Sequence, residues 1–396
     1  MQQNPSKASP ARAMKTLQIM NGFLRPIICL VILILLFSLF AIPMGLTNML
    51  NTMMNTAYRL LLDTALYIMA LAVMTGAIAA IFAEYGVIEL LNRLLSPIMK
   101  PLYGLPGAAT VGIITTYLSD NPAILTLAHD TRYRRYFKRY QIPALTNLGT
   151  SFGMGLMVTA FMLGIKPASG SSFLAVLCGN LGAILGSAIS TRLMLRYTAS
   201  VLGKTADALD TAGENASDEA QNSKEKRGSR FISTLMEGGK TGVDLGLGII
   251  PGVLIICTLI MMLTNDPSAT GYTGGAYEGI ALLPHLAEKI DFLLTPLFGF
   301  SVPAAVAVPV TALGSAGAAM GTVPGLAALG KVTANDIAVF TAMCMCWSGY
   351  LSTHVSMMDV LGTPEYTGKA ILFHTFGGLG AGIAAHWLYM LAQLII

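Results

Sequence analysis

The stretch from Gly104 to Asp130 is apolar enough to enter a bilayer, yet its middle reads Ser119-Asp120-Asn121-Pro122, a formal charge and a helix-stopping proline within four positions. The arm before this break is about 14 residues, or about 21 Å of helix, against a bilayer core about 30 Å thick. That arm does not span a membrane alone. Two short arms around a polar tip describe a re-entrant hairpin that dips in and returns. Irregular backbone at that depth survives only where protein or a water-filled cavity surrounds it. The tip is therefore expected to line a site.

The rest of the chain demands a membrane as well. Of 396 residues, 54% are hydrophobic and only 11% charged, the composition of an all-α polytopic membrane protein. The net charge of +4 is too small to argue for a nucleic-acid partner. All five cysteines lie in apolar runs, which argues against a secreted disulfide framework. The first apolar run follows a basic tail (Lys7, Arg12, Lys15, Arg25) with no small-x-small cleavage site behind it, and so reads as a retained anchor. Residues 1–22 are expected to be a mobile cytoplasmic tail, and 23–58 a first transmembrane anchor and loop.

Apolar periodicity places seven spans at about 26–45, 62–83, 143–165, 172–194, 242–264, 335–356 and 370–395. The run 85–96, with Glu89 and Arg93 at i, i+4, has the pattern of an amphipathic helix at the interface, and 280–298 of a second. Residues 197–236 interrupt the pattern. Their core, Asp207 to Gly228, is rich in Ala, Ser, Asn, Glu and Lys and is expected to be a disordered cytoplasmic loop. The paired glycines 182/186, 242/246, 248/252 and 378/382 read as close helix packing.

A second hairpin candidate, 300–325, aligns with the first at an offset of 195 without gaps. Pro101, Leu102, Gly104, Ala109, Val111, Thr116 and Leu118 match Pro296, Leu297, Gly299, Ala304, Val306, Thr311 and Leu313. The break at 119–122 falls on Gly314-Ser315-Ala316-Gly317. Two units follow, repeat 1 over 59–196 and repeat 2 over 237–396. Three crossings per unit put the two in opposite orientation, an inverted-topology repeat with about seven transmembrane helices, two interfacial helices and two re-entrant hairpins. With the N-terminus inside, about twenty Lys and Arg face the cytoplasm and four (Arg59, Lys166, Lys289, Lys331) face out. The dense block Arg132–Arg139 then stays inside.

The order of interfacial helix, hairpin and two spans, repeated upside down, resembles the Gate or "nucleoside recognition" superfamily. It is similar to the core of concentrative nucleoside transporters, whose first hairpin carries Gln, Glu and Pro at its tip. Asp120-Asn121-Pro122 looks like a variant of that tip. The run Asn121-Pro-Ala-Ile-Leu-Thr-Leu127 before a basic block also resembles the membrane part of ferrous-iron transporters, and spore-maturation membrane proteins share the same domain. The resemblance covers about 59–396 and implies an inner-membrane protein. The full Gln-Thr-Glu tip of the nucleoside carriers is absent, so the resemblance does not name the solute.

The candidate solute- or ion-binding residues are Ser119, Asp120, Asn121, Asn147, Thr150, Ser151, Asn180, Thr311, Ser315, Ser348 and His354. A carboxylate at the bilayer centre is costly unless paired or hydrated, which points to a function for Asp120; Ser119 or Asp120 as a local helix cap is the plainer alternative. The Asn121 amide oxygen could meet a cation or a polar solute. Ser315 and Thr311 would face Asp120 from the opposite hairpin, although small residues there also allow close packing. Asn147, Thr150 and Ser151 form a polar cluster in the third span, and Gly149-Thr-Ser-Phe-Gly153 matches G-x-S-x-G inside an apolar helix with no strand before it, so catalysis is not expected. Asn180 reads either as a site residue or as interhelical glue. The sixth span carries Trp347-Ser-Gly-Tyr-Leu-Ser-Thr-His-Val-Ser356, expected to unwind at Ser348-Gly349. His354 and His374 could relay protons or bind metal, or simply pack.

No P-loop, dinucleotide fingerprint or HExxH motif occurs. The expectation is a secondary carrier of a small polar solute, not an enzyme, with no cofactor beyond Na⁺ or H⁺ as coupling ion. Its partners would be membrane lipids, the solute and a second copy in a homo-oligomer. A divalent-metal permease and a non-transporting assembly or signalling protein of the spore-maturation type are the alternatives.

Overall fold

Long apolar runs close their backbone hydrogen bonds internally, and helices are what this chain forms. The computed structural model describes residues 10–119, 134–208, 227–348 and 350–395, and among them it holds helices and two isolated bridges but no strand. Asp120, Asn121, Pro122 and the second arm of the first hairpin lie outside the described residues, as does most of the loop at 209–226.

Among the described residues five helical stretches are long and apolar enough to cross a bilayer, Leu24–Met44, Leu46–Glu84, Ser172–Leu202, Arg230–Thr264 and Pro364–Ile395, or six if the bent pair Asp291–Phe298 and Pro303–Ala312 counts as one span. The chain is a multi-pass membrane protein. In chain order the helices are α1 (Pro10–Met44), α2 (Leu46–Arg59), α3 (Leu66–Glu84), α4 (Val87–Tyr103), α5 (Ala109–Leu118), α6 (Ala144–Thr150), α7 (Gly155–Gly164), α8 (Ser172–Leu202) and α9 (Arg227–Gly252). They continue as α10 (Thr258–Thr264), α11 (Leu282–Lys289), α12 (Asp291–Phe298), α13 (Ala307–Ala312), α14 (Ala316–Ala328), α15 (Ala334–Cys346), α16 (Tyr350–Val360) and α17 (Thr367–Ile395).

Three expectations change at the edges. The helix of the first span begins at Pro10, inside the stretch expected to be a mobile tail. The stretch 197–236 is helical at both ends, because α8 runs on to Leu202 and α9 starts at Arg227. The expected third span is not one helix: it stops at Thr150, turns through residues 151–154 and restarts at Gly155. The expected sixth span is divided in the same way, between Cys346 and Tyr350.

Two long crossings carry wide π-turns, Leu60–Ala65 between α2 and α3 and Val253–Cys257 between α9 and α10. Pro251 accounts for the second, since it removes an amide from the helical ladder just before the turn. The two turns share a buried apolar cluster: Leu60, Ala65, Val253 and Cys257 pack with Ala318 of α14.

Small residues set the helix pairs. Helix α3 runs antiparallel to α9, with Gly76 against Gly238 and Met69 against Gly246. Helix α8 runs antiparallel to α17, with Gly182 against Ala385 and Ser190 against Gly377. A Cβ at Gly76 would lie 2.5 Å from the Gly238 carbonyl, and one at Gly182 would lie 2.6 Å from that of Ala381. Only glycine allows backbones this close. Gly248 faces open space, so of the expected packing glycines this one has no neighbour.

The interfacial helix α4 ends at Gly104, which has φ 77° and donates its amide to the Lys100 carbonyl at 3.0 Å. At the positions 195 residues on, α12 ends at Gly299, with φ 61° and its amide on the Thr295 carbonyl at 2.8 Å. The carbonyls left open at these helix ends are held from other elements. Gln141 Nε2 donates to the Gly104 carbonyl at 3.3 Å, and Asn335 Nδ2 donates to that of Gly299 at 2.7 Å. Beyond α12 the chain bends by 73° into a short turn, Pro303–Val306, and α13. Helix α14 returns, its N-terminus capped by Ser315 Oγ on the Ala318 amide at 3.3 Å. This second hairpin rests its tip on α9 and its π-turn: Gly317 touches Ile249, Ser315 touches Gly252 and Gly314 touches Ile256.

The loop 265–281 is sewn to α2. Asn48 Nδ2 donates to the Tyr272 carbonyl at 3.0 Å and Asn55 Nδ2 to that of Gly274 at 2.8 Å. The Glu278 carboxylate, 4% exposed, accepts from the amides of Thr273 and Gly274 and from the hydroxyls of Thr273 and Thr52. Burial pushes its acidity down, but the Thr273 hydroxyl and this nest of amides outweigh it, and the carboxyl sits below its ordinary pKa of 4.5.

Candidate functional site

The two helix breaks have a local cause. Gly149-Thr-Ser-Phe-Gly-Met-Gly155 holds three glycines in seven residues. Two hydroxyls there bend back onto the helix: Thr150 Oγ1 donates to the Thr146 carbonyl at 2.8 Å, and Ser151 Oγ donates to the Asn147 carbonyl at 2.8 Å. Such back-bonding competes with the ladder and bends a helix. Met154 then takes φ 57°, a left-handed conformation uncommon for a residue with a side chain, and α7 begins. The G-x-S-x-G text thus lies at the end of one short helix and the turn after it, not inside a continuous apolar helix. In the second break α15 ends with Trp347 at φ −101°, ψ 22°, and Ser348 follows in the turn; Gly349 lies outside the described residues.

The two breaks touch in the interior. Ser348 Oγ donates to the Thr150 carbonyl at 3.2 Å. Thr150 Oγ1 lies 3.5 Å from His354 Nε2, whose ring meets that of His374 at 4.6 Å between centroids. Both histidines are fully buried. His354 Nδ1 bonds the Tyr350 carbonyl at 2.5 Å. His374 Nε2 bonds the Cys346 carbonyl, and its Nδ1 lies 3.0 Å from Ser190 Oγ. Each ring therefore has one nitrogen on a carbonyl and the other beside a hydroxyl. Ser190 Oγ also accepts from Asn147 Nδ2 at 2.8 Å, and the same amide reaches the Ala370 carbonyl at 2.9 Å. The result is one polar network through α6, α8, α15, α16 and α17.

Asn147, Thr150, Ser151, Ser348 and His354 are brought together in this network, five of the residues singled out from the sequence. Among the described residues, Asn147 Oδ1 and the hydroxyls of Thr146 and Thr191 are buried without a partner. Asn180 stands apart from it in a second, half-buried cluster. Its Oδ1 accepts from Tyr117 OH at 3.1 Å and Thr159 Oγ1 at 3.2 Å, and Tyr117 OH lies 2.9 Å from Thr159 Oγ1. Tyr117 belongs to α5, the described arm of the first hairpin, and its ring packs against Gly155 at the start of α7. Ser119 ends that arm, its amide on the Thr115 carbonyl at 3.0 Å. In the second hairpin Thr311 commits its hydroxyl to the Ala307 carbonyl at 2.6 Å, and Ser315 is the cap of α14. Whether either faces Asp120 falls outside the described residues, as do Asp120 and Asn121 themselves.

Ser190, Tyr117 and Thr159 were not singled out by sequence. A signal for Ser190 existed: Asn180, Ser187, Thr191 and Thr198 fall at steps of seven, four and seven along α8, with Ser190 three after Ser187, a polar stripe on an apolar helix. Among the described residues no group of three or more His, Cys, Asp or Glu is gathered as for a metal ion.

No protein-family model matches the sequence, and no curated protein matches it. Among solved structures the chain is similar to a variant of the concentrative nucleoside transporter CNTnw in an outward-facing state, at 16% identity and a TM-score of 0.49, over 83% of this chain and 76% of that one. It is similar to CNTnw in an inward-facing substrate-bound state at 18% identity and a TM-score of 0.49, over 82% of this chain and 75% of that one. A further CNTnw variant, in an intermediate state, matches at 13% identity and a TM-score of 0.43 over 96% of this chain and 86% of that one.

Proposed function

We propose that the chain is a secondary carrier of a small polar solute across a bacterial cytoplasmic membrane, coupled to Na⁺ or H⁺ and built as two repeats of opposite orientation. The observation that carries the reading is the contact between two broken helices deep in the protein, Ser348 Oγ on the Thr150 carbonyl. Interrupting a helix inside a membrane frees backbone groups at a cost, which is recovered where they serve a polar guest or ion. The antiparallel packing of α3 with α9 and of α8 with α17, and the matched glycine caps at Gly104 and Gly299, support the two-repeat plan.

In this reading Asn147, Thr150, Ser151, Ser348 and His354 form the floor of the site. Ser119, Asp120 and Asn121 from the first hairpin, Thr311 and Ser315 from the second, and Asn180 flank it. Asp120 carries the coupling ion or proton, because gain and loss of one charge between the hairpins switches the local field. Both rings of the histidine pair are committed to protein acceptors, which favours solute transport over metal permeation. The N-terminus and the 197–236 loop face the cytoplasm.

The test is uptake into proteoliposomes carrying the purified chain, with nucleosides, small organic anions, amines and divalent metals offered in turn with and without a Na⁺ or pH gradient. A gradient-dependent uptake that Ser348→Ala weakens and Asp120→Asn uncouples is the expected result. Uptake of no solute class under any gradient sinks the carrier. Transport by Asp120→Asn at the full rate at every pH and Na⁺ concentration removes Asp120 from the coupling role.

A further inference from the structure

A cavity of about 930 Å³ opens beside the second hairpin, away from the two helix breaks. One wall is the hairpin's base: Ala304 and Ala307 before the tip, Gly321 to Leu329 after it. The other is α10 with the loop behind it and the π-turn at Leu60–Ala65. The volume lies within the range of small-molecule sites.

Its chemistry is specific. Asp63, Asp266 and Glu288 line it against one ammonium, Lys331. Arg59 touches Asp63 only at 4.0 Å, in a pair exposed by about 60% on each side, and leaves that carboxylate largely free. The inner surface is apolar, with Met261, Ala304 and Leu326, and Tyr277 adds an aromatic face. The π-turn places Thr64 in the same cavity. Thr64 is only 7% exposed, and its hydroxyl has no partner among the described residues. A π-turn costs ladder geometry and is most often kept where it re-aims side chains at a site. Here it turns a carboxylate and an open hydroxyl toward one space.

We infer that this cavity binds an organic cation, an amine or guanidinium on an apolar body, with Asp266 and Glu288 at the charged head, Thr64 accepting a hydrogen bond from it and Tyr277 and Met261 against the carbon chain. A bare divalent ion would leave the apolar wall and the aromatic face unused, and an anion would meet three like charges. The inference deepens the carrier reading by naming the class of solute that collects at one mouth, and it rests on that reading only for the step of transport.

The experiment titrates the purified full chain with agmatine by calorimetry, with succinate and MgCl₂ as controls at matched ionic strength. Agmatine is expected to saturate one site, succinate to give no heat, and MgCl₂ to compete no better than NaCl. Asp266→Asn with Glu288→Gln should weaken agmatine about tenfold, as expected for removing two nearby charges in a wet site. Thr64→Val, which keeps the shape, should weaken it about threefold, a single neutral hydrogen bond. Non-saturable agmatine heat, tighter binding of Mg²⁺ at the same place, or full affinity in the carboxamide pair each overturns the site. The two readings fail separately: agmatine binding with no uptake of any solute counts against the carrier alone, and gradient-driven uptake of another solute with no agmatine binding counts against this cavity alone.

Discussion

Asn147 is the joint of the buried network, and its removal measures what that network contributes. Its amide donates to Ser190 Oγ at 2.8 Å and to the Ala370 carbonyl at 2.9 Å, while its own Oδ1 is buried without a partner among the described residues. Asn147→Ala deletes two hydrogen bonds, each about 1 kcal/mol net, and opens a small void. It also removes the orphaned oxygen, which recovers about 1 kcal/mol or more. The expected net cost is about 1–3 kcal/mol. Ser190→Ala takes away the partners of both Asn147 and His374 Nδ1 and should cost about 2–4 kcal/mol, because two buried groups lose their mates. The double variant carries the decisive information. If Asn147 acts through Ser190, the two losses overlap and the pair costs less than their sum by about 1 kcal/mol. Equilibrium unfolding of the chain in mixed micelles, followed by far-UV circular dichroism, reads all four corners of the cycle. Additivity within about 0.5 kcal/mol would refute a shared network and reduce the cluster to independent contacts.

Gly182→Leu should prevent folding, since even a Cβ there lies 2.6 Å from the Ala381 carbonyl, whereas Gly248→Ala, with nothing within 4 Å, should leave the yield of monodisperse protein unchanged. The Glu278 carboxylate has a folded pKa below its ordinary 4.5, so its stabilisation of the 265–281 loop is complete above that value and is lost as the pH falls through the depressed one. Hydrogen-exchange protection factors in that loop, which divide out the intrinsic pH dependence of exchange, should therefore fall on acidification in the parent chain and be low and flat with pH in Glu278→Gln. Impermeant labelling of single cysteines in intact cells should mark position 270 and spare position 135; the reverse pattern would invert the orientation argued from the basic residues.

What the sequence made legible was whatever repeats or exceeds a length. The apolar runs located the long crossings, and the offset of 195 paired Gly104 with Gly299, which the structure places at equivalent helix ends. The break between Cys346 and Tyr350 was readable because polar residues crowd there. The break after Thr150 was not, because Gly149, Gly153 and Gly155 sit among residues apolar enough to read as a continuous span. Hydropathy does not register a turn whose hydroxyls, those of Thr150 and Ser151, bend back onto the helix before it. The histidine pair was half legible: both residues stood out, but their meeting at 4.6 Å depends on how α16 and α17 cross, which no local pattern encodes. The π-turn at Leu60–Ala65 has no proline or glycine to announce it.

On the proposed two-repeat plan, the clamps at the ends of α4 and α12 explain why the repeat is faint in sequence. Each helix ends on a left-handed glycine and leaves carbonyls with no intrahelical donor. Glycine is required at that point by its φ, so Gly104 and Gly299 agree. The donors that satisfy the carbonyls need only reach. Gln141 does so from a short 3₁₀ turn, and Asn335, 194 positions on, from the first turn of α15. Arg192 reinforces the first clamp directly, with Nε on the Leu102 carbonyl at 2.7 Å. Its counterpart 194 positions on, His386, reinforces the second at one remove, with Nδ1 on Asn335 Oδ1 at 2.8 Å. A long, exposed cation at one end thus corresponds to a short, buried ring at the other. The backbone need is duplicated and the side chains that meet it are not. An alignment of residue identities therefore recovers the glycines and loses the clamps.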